Sequence, residues 1–371
     1  MNKKNKIIII TIIALLIIIS SGFFVYVKST FNGNKKYSDI KINNVVKDNE
    51  ILHETIKKIG IKESMRLLIE QSGGGSQYDC HQQAHKIGGV GYKIEKEKSF
   101  QSCDASCHSG CYHGAMESFL SEKGTANLAE DITAVCKKFE TGFGNFECLH
   151  GVGHGVLAYV DYDMPGAIKE CQKLPDNFSQ NSCYGGMFME NILTGQGLGA
   201  SAKTDHATNW VNRTDPYFPC DKIDKAYDVQ YQCYQMQTSW ILTMSNYNFD
   251  IVAKQCLDAP DNMQSVCFKS FGRDAAGNSL RDPAKILQLC SKAPIIKGYY
   301  DQCIIGALNV IVDFWGPGLK NQASQLCALT KGSHKQICYQ TLADRIPDLF
   351  NEKTNQQEIC NTFELSYQNL C

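Results

Sequence analysis

Cys148-Leu149-His150-Gly151-Val152-Gly153-His154-Gly155 is the stretch on which the reading of this chain turns. Its cysteine has a counterpart a dozen residues upstream, Cys136. Its two histidines stand four apart. On a helix such residues lie one above the other on one face, so both imidazoles can reach one metal ion. Glycine costs about 1 kcal/mol against alanine inside a helix. Three of them here signal the close approach of another backbone or of a ligand. The segment reads as the middle of a metal site, built on one hairpin of a disulfide-stapled helical array.

Working outward, the cysteine pairing repeats. From Cys136 the pairs are 136/148, 171/183, 220/233, 256/267, 290/303, 327/338 and 360/371. Members of a pair are 11 to 13 residues apart, and successive pairs follow at 33 to 37, except for one step of 49. The first cysteine of a pair ends an apolar-periodic run, as in Ala167-Ile168-Lys169-Glu170-Cys171, and the second usually begins another, as in Cys303-Ile304-Ile305-Gly306-Ala307-Leu308. Pro175, Pro260 and Pro294 lie between the members, where a helix must stop. A period near 35 with two helical segments predicts an all-α fold of helical-hairpin repeats, an α-solenoid. In each hairpin a helix A ends in one cysteine, a helix B begins with the other, and a disulfide clamps the two. Cys80, Cys103, Cys107 and Cys111 remain; the spacing suggests Cys80–Cys107 and Cys103–Cys111 among the three possible pairings.

The 18 cysteines imply an oxidising compartment and as many as nine disulfides. Lys3, Lys4 and Lys6 precede an almost wholly apolar run, residues 7–27. That run is long enough to span a bilayer, and the charge before it orients the rest of the chain outside the cytoplasm. The expected organisation is a cytoplasmic terminus (1–6), an uncleaved transmembrane signal anchor (7–27) and a polar stalk (28–49). A helical lead-in interrupted near Gly60 and a glycine-rich linker follow (50–79). Then come metal-site repeats (80–194), a surface insertion that could act as a lid (195–219) and scaffold repeats (220–371). The insertion carries a glycosylation sequon at Asn212-Arg213-Thr214; a second is Asn177-Phe178-Ser179. A net charge of −1, from 37 basic and 38 acidic residues, gives no reason to expect nucleic acid as a partner.

Six of the nine histidines lie between 81 and 154. His81 and His85 are four apart, as are His113 and Glu117, and His150 and His154. In the last two helices these positions are the cysteine plus two and plus six, about 200–240° round from the cysteine. If the cysteine faces helix A, His81, His85, His113, Glu117, His150 and His154 point together toward a concave groove as metal ligands. Imidazole with carboxylate suits a divalent transition metal, iron or zinc foremost. Glu117 could double as a catalytic base. Glu190, in the next repeat, is a candidate base or a hydrogen-bond partner that orients a histidine. Single His-x3-His pairs arise by chance; two of them in register with a His-x3-Glu pair between make the case for one shared site.

His53 and His334 fall outside the pattern and read as surface residues, His206 as an extra ligand from the insertion, and His108 as structural or functional alike. Gln235, Lys269, Ile305 and Gln340 replace the histidines further on, which marks those repeats as scaffold, and Arg273–Asp274 reads as a structural ion pair. Walker, nucleophile-elbow and His-Glu-x2-His signatures are absent, as is the motif for covalent haem; histidines alone could still hold haem non-covalently. The expectation is a membrane-anchored extracytoplasmic metalloenzyme, hydrolytic or oxidative, acting on an unknown substrate in the groove. The alternative is a binding or scaffold protein, with a protein ligand in the groove and a structural or stored metal.

Overall fold

The computed structural model describes residues 37–72, 77–104, 106–107, 109–139, 141–197, 208–313 and 320–371. They are helical, with no strand among them. In chain order, and leaving aside the one-turn helices Ile42–Val45 and Ser99–Ser102, the α-helices are α1 (Asn49–Gln71), α2 (Gln77–Glu95), α3 (Gly110–Lys123), α4 (Leu128–Cys136), α5 (Gly142–Tyr159), α6 (Met164–Cys171), α7 (Asn177–Gly195) and α8 (Tyr227–Met244). Then follow α9 (Phe249–Asp258), α10 (Asp261–Asn278), α11 (Pro283–Cys290), α12 (Tyr299–Asp313), α13 (Lys320–Leu329), α14 (Ser333–Leu349) and α15 (Lys353–Cys360). Helix α1 breaks at Gly60, whose φ of 81° leaves the helical region, as the sequence suggests.

All nine disulfides form with the expected partners, Cys80–Cys107 and Cys103–Cys111 included. Most close a loop of about a dozen residues, worth about 3 kcal/mol each in the chain-entropy picture. The A helices do end at their cysteines, as α4, α6, α11 and α15 show. The B helices start earlier than expected: Cys148 and Cys183 lie in the second turn of α5 and α7, not at their starts. The reason is capping. Thr141 accepts from the Gly144 N–H and Asp176 from the Ser179 N–H, and so each helix begins ahead of its cysteine. Two further departures concern completeness. Turns, not a helix, lead to Cys220, and the chain ends in a 3-10 segment, Leu365–Leu370, in place of a last B helix.

The B helices stack side by side in chain order, α2, α3, α5, α7, α8, α10, α12, α14. Three of the steps are locked by reciprocal glycines. A Cβ on Gly88 would sit 1.9 Å from the Cys111 carbonyl oxygen, and one on Gly114 equally close, 1.9 Å, to that of His85. Gly153 meets the Cys183 carbonyl at 1.9 Å and Gly186 that of His150 at 1.8 Å; Gly272 meets Cys303 and Gly306 meets Lys269, both at 1.9 Å. The expected close approach at Gly153 is therefore to a neighbouring backbone.

An open solenoid would leave α14 far from α5. Instead the two pack together: a Cβ on Gly142 would lie 3.3 Å from Asp348 Oδ1. Helices α5, α7, α8, α10, α12 and α14 thus close into a ring, and the groove expected from the sequence is a partly open central cavity of about 480 Å³. No A helix contributes to its lining; A helices pack on the outside, against flanking B helices.

No helix among the described residues is long and apolar enough to cross a membrane. The cytoplasmic terminus, the anchor at 7–27 and the start of the stalk lie outside the described residues, as do His108 and His206. Of the insertion, residues 208–219 are described, and they do not form a free lid. Trp210 Nε1 donates to the Tyr162 carbonyl at 2.9 Å and Trp240 Nε1 to that of Asn212 at 2.8 Å. Gln237 Nε2 donates to the Pro216 carbonyl at 2.7 Å. This segment covers α7 and α8 where an A helix would otherwise pack.

Candidate metal centre

Helices α2, α3 and α5 bring His81, His85, His113, His150 and His154 together, each only 1–5% exposed. Among the described residues three triads have ligand atoms within 4.8 Å of one another: His81/His85/His113, His113/His150/His154 and His85/His154/Glu190. His113 belongs to two of them, so the triads form one continuous cluster. The rings of His113 and His154 stack, with centroids 3.7 Å apart and planes at 17°. Glu117 stands at the edge, its Oε2 3.9 Å from His85 Nδ1 and outside the triads. The carboxylate that joins the cluster is Glu190, one step along on α7.

Burial sets the protonation. Loss of hydration pushes His85 down to about 4. It holds His113, His150 and His154 well below the ordinary histidine range, and neighbouring imidazoles push the same way. Neutral imidazole is the form that binds metals. Two of the rings are oriented by a hydrogen bond on the far nitrogen. His81 Nδ1–H donates to the Cys107 carbonyl at 2.8 Å, and His154 Nδ1–H to Glu190 Oε2 at 2.8 Å. Each bond fixes the tautomer and turns Nε2 inward. Glu190 is itself anchored: Tyr162 donates to its Oε1 at 2.8 Å, and Thr194 Oγ1 lies 3.1 Å from that oxygen. Burial, and then the Glu190 charge, raise the Tyr162 hydroxyl far above its ordinary value, so it remains a donor.

Sequence reasoning missed Tyr162 and Thr194. Thr194 sits four residues after Glu190 on α7, which was a usable signal. Tyr162 lies in the turn after α5 with φ of 61°, and nothing in the sequence pointed to it. The expectation that His334 is a surface residue is corrected. It is half-buried, its Nδ1 2.5 Å from Asp301 Oδ1 and its ring against Tyr300. His53 is partly exposed and pairs with Glu54 at 3.1 Å. The Arg273–Asp274 ion pair is present at 2.8 Å.

The cluster opens on the central cavity through His81, His113 and His150, with His85 and His154 behind them. Phe143, Phe146, Phe178 and Met189 line the same wall. Glu147 also faces it, and takes a hydrogen bond from Ser109. Burial, with Asp313 adding to it, pushes the Glu147 carboxyl up to about 8. The chain matches no family model, no curated protein and no solved structure.

Proposed function

We propose that this is a membrane-anchored extracytoplasmic metalloenzyme. Its His/Glu cluster would hold one or two iron or zinc ions against a substrate cavity. The single observation that carries the reading is a concentration of buried ring nitrogens with no hydrogen-bond partner: both of His85, both of His113, Nδ1 of His150 and Nε2 of His154. Each such atom costs about 1–3 kcal/mol when nothing satisfies it. Histidines kept for packing alone would be bonded to neighbours or replaced by apolar residues. Ligation would satisfy one nitrogen of each ring, and the nitrogen-rich donor set fits iron or zinc.

The groups around the cluster support catalysis over storage. His81, His113 and His150 face an open space where a small molecule fits. Glu190 orients His154 by the hydrogen bond that commonly backs a metal-bound histidine, and Glu117, half-exposed beside His85, is the candidate base. A bound metal would supply Lewis acidity or redox chemistry toward water or dioxygen. The nine disulfides support an oxidising environment for these residues. The anchor reading rests on residues 7–27 and the three lysines before them, and the fold reads as an α-solenoid curled back on itself.

The test is elemental analysis of the full chain produced in an oxidising compartment. Iron or zinc near or above one per chain is expected, with sharp losses in His113→Ala and His150→Ala. Folded wild-type protein with metal at background would sink the reading. Iron would direct the search toward oxidation, zinc toward hydrolysis. A coordination shell closed to exchangeable water would move the reading to a structural or stored metal.

A further inference from the structure

Across the ring from the histidines, the cavity holds a cation that forms no salt bridge among the described residues and only shares the field of Asp313 with Arg345. Lys269 lines the same cavity as His150, from α10, three helices round the ring from α5. Its ammonium has three protons to donate, and it is half-buried. Among the described residues it makes one hydrogen bond, to the Tyr231 hydroxyl at 3.2 Å, and no salt bridge, though its charge, like that of Arg345, offsets part of the burial that pushes the Asp313 carboxyl up.

The other charges of the cavity are already met. Arg273 holds Asp274 at 2.8 Å and also donates to the Gln235 carbonyl at 2.6 Å. Arg345 holds Asp313 at 2.5 Å. Asp348 is exposed at the rim. Glu147, with its carboxyl pushed up to about 8, is protonated at neutral pH. Asp313 thus serves both Arg345 and Lys269, so three cations face two inward carboxylates, in a space otherwise walled on α5 and α7 by Phe143, Phe146, Phe178 and Met189. The placement of Lys269 follows from the repeat. Its carbonyl meets Gly306 as that of His150 meets Gly186, so both residues occupy the same register and both side chains face inward.

We propose that the cavity binds a carboxylic acid with an apolar body, its carboxylate held by Lys269 and the Tyr231 hydroxyl and its body lying against Phe143, Phe146 and Phe178 toward His150. A single ammonium matches one carboxylate better than a phosphate dianion. A space of about 480 Å³ lies in the range that encloses a drug-sized ligand. As the substrate class of the metal site, this rests on the metalloenzyme reading; as a binding site, it stands alone.

The experiment is calorimetric titration of the full chain in detergent with octanoate, octanol and octyl phosphate, with and without added metal. Octanoate is expected to bind best. Lys269→Gln should weaken it roughly 10–100-fold, the range for a charge-assisted hydrogen bond, and Lys269→Arg should restore much of the loss. Octanol should not distinguish the variants. Unchanged octanoate binding in a folded Lys269→Gln protein would overturn the proposal, as would octanol or octyl phosphate binding more tightly than octanoate. Should Lys269→Gln lose helicity, Tyr231→Phe reads the same site, with a several-fold loss expected and an unchanged affinity counting against it. Metal content is measured on the same samples. Lysine-dependent binding with metal at background removes the enzyme reading and leaves this one. Normal metal with no octanoate binding removes this one alone.

Discussion

Two helix pairs in this molecule share one backbone and carry opposite chemistry. In α5 and α7, Gly153 and Gly186 let each helix touch the other's carbonyls; in α10 and α12, Gly272 and Gly306 do the same. The residue whose carbonyl is touched is His150 in the first pair and Lys269 in the second. Four residues on stand His154 and Arg273. One pair therefore presents neutral, desolvated imidazoles to the cavity region, the other presents cations. The lesson is a division of labour. The crossing demands glycine, because any Cβ would collide with backbone, and backbone cannot move aside as a flexible side chain can. The inward positions carry no such demand and are free to vary in chemistry.

The severest way to test that comparison is to break the crossings themselves. Gly153→Leu and Gly272→Leu should both destabilise strongly, on the order of 3 kcal/mol or more, because overpacking here meets main chain. Thermal melts followed by circular dichroism would show it. Similar losses in both halves are expected; a tolerated Gly272→Leu would mean that only the histidine half needs the close crossing.

Next in size is removal of a distant clamp. Cys327→Ser with Cys338→Ser should cost about 2–5 kcal/mol. In an open array the damage would stay in its own hairpin. Because α14 closes on α5, hydrogen exchange should also rise in α5. If exchange there is unchanged, the closure contributes little to the stability of the histidine half.

Acid should separate the halves as well. In chelator, His85, His113, His150 and His154 have folded-state values below the unfolded one, since burial disfavours the charged form. The unfolded chain then binds more protons, and so the stability they carry is complete above the unfolded value of 6.5 and is lost as pH falls toward about 4. Denaturation midpoints at a series of pH values should fall through that window. Replacing His113 and His154 with Gln should flatten the fall, while Lys269→Gln should not.

Smaller effects follow for the supporting groups. Glu190→Gln keeps the shape but weakens the bond to His154, and should lower metal affinity roughly 10–100-fold, measured by competition with a chelator. Lys269→Gln should leave metal affinity alone. His53→Ala, on the exposed face of α1, should change neither metal content nor melting temperature by a measurable amount; any loss of metal there would mean that the cluster is not the site of binding.

Much of this protein is written locally. Cysteines a dozen residues apart can meet only by folding the chain between them into a hairpin, and so the spacing alone paired seven of the nine disulfides; Cys80–Cys107 and Cys103–Cys111, 27 and 8 residues apart, it left as one of three pairings. Residues four apart on a helix share a face whatever the surroundings, and so the sequence alone placed His81 with His85 and His150 with His154. The glycines of the 148–155 stretch likewise announced a close neighbour. What the sequence could not supply depends on surfaces far apart along the chain. Ring closure needs α14 to meet α5, and it turned an expected groove into a cavity ringed by six helices. Glu190 reaches His154 only because α5 and α7 cross at glycines. The segment 208–219 could pass for a lid until Trp210 and Gln237 were seen anchoring it. The physical reason is the same throughout: helical periodicity and short-loop closure act within a dozen residues and leave a pattern, whereas the curvature that brings stacked helices round to meet accumulates from many small packing angles that no single stretch of sequence displays.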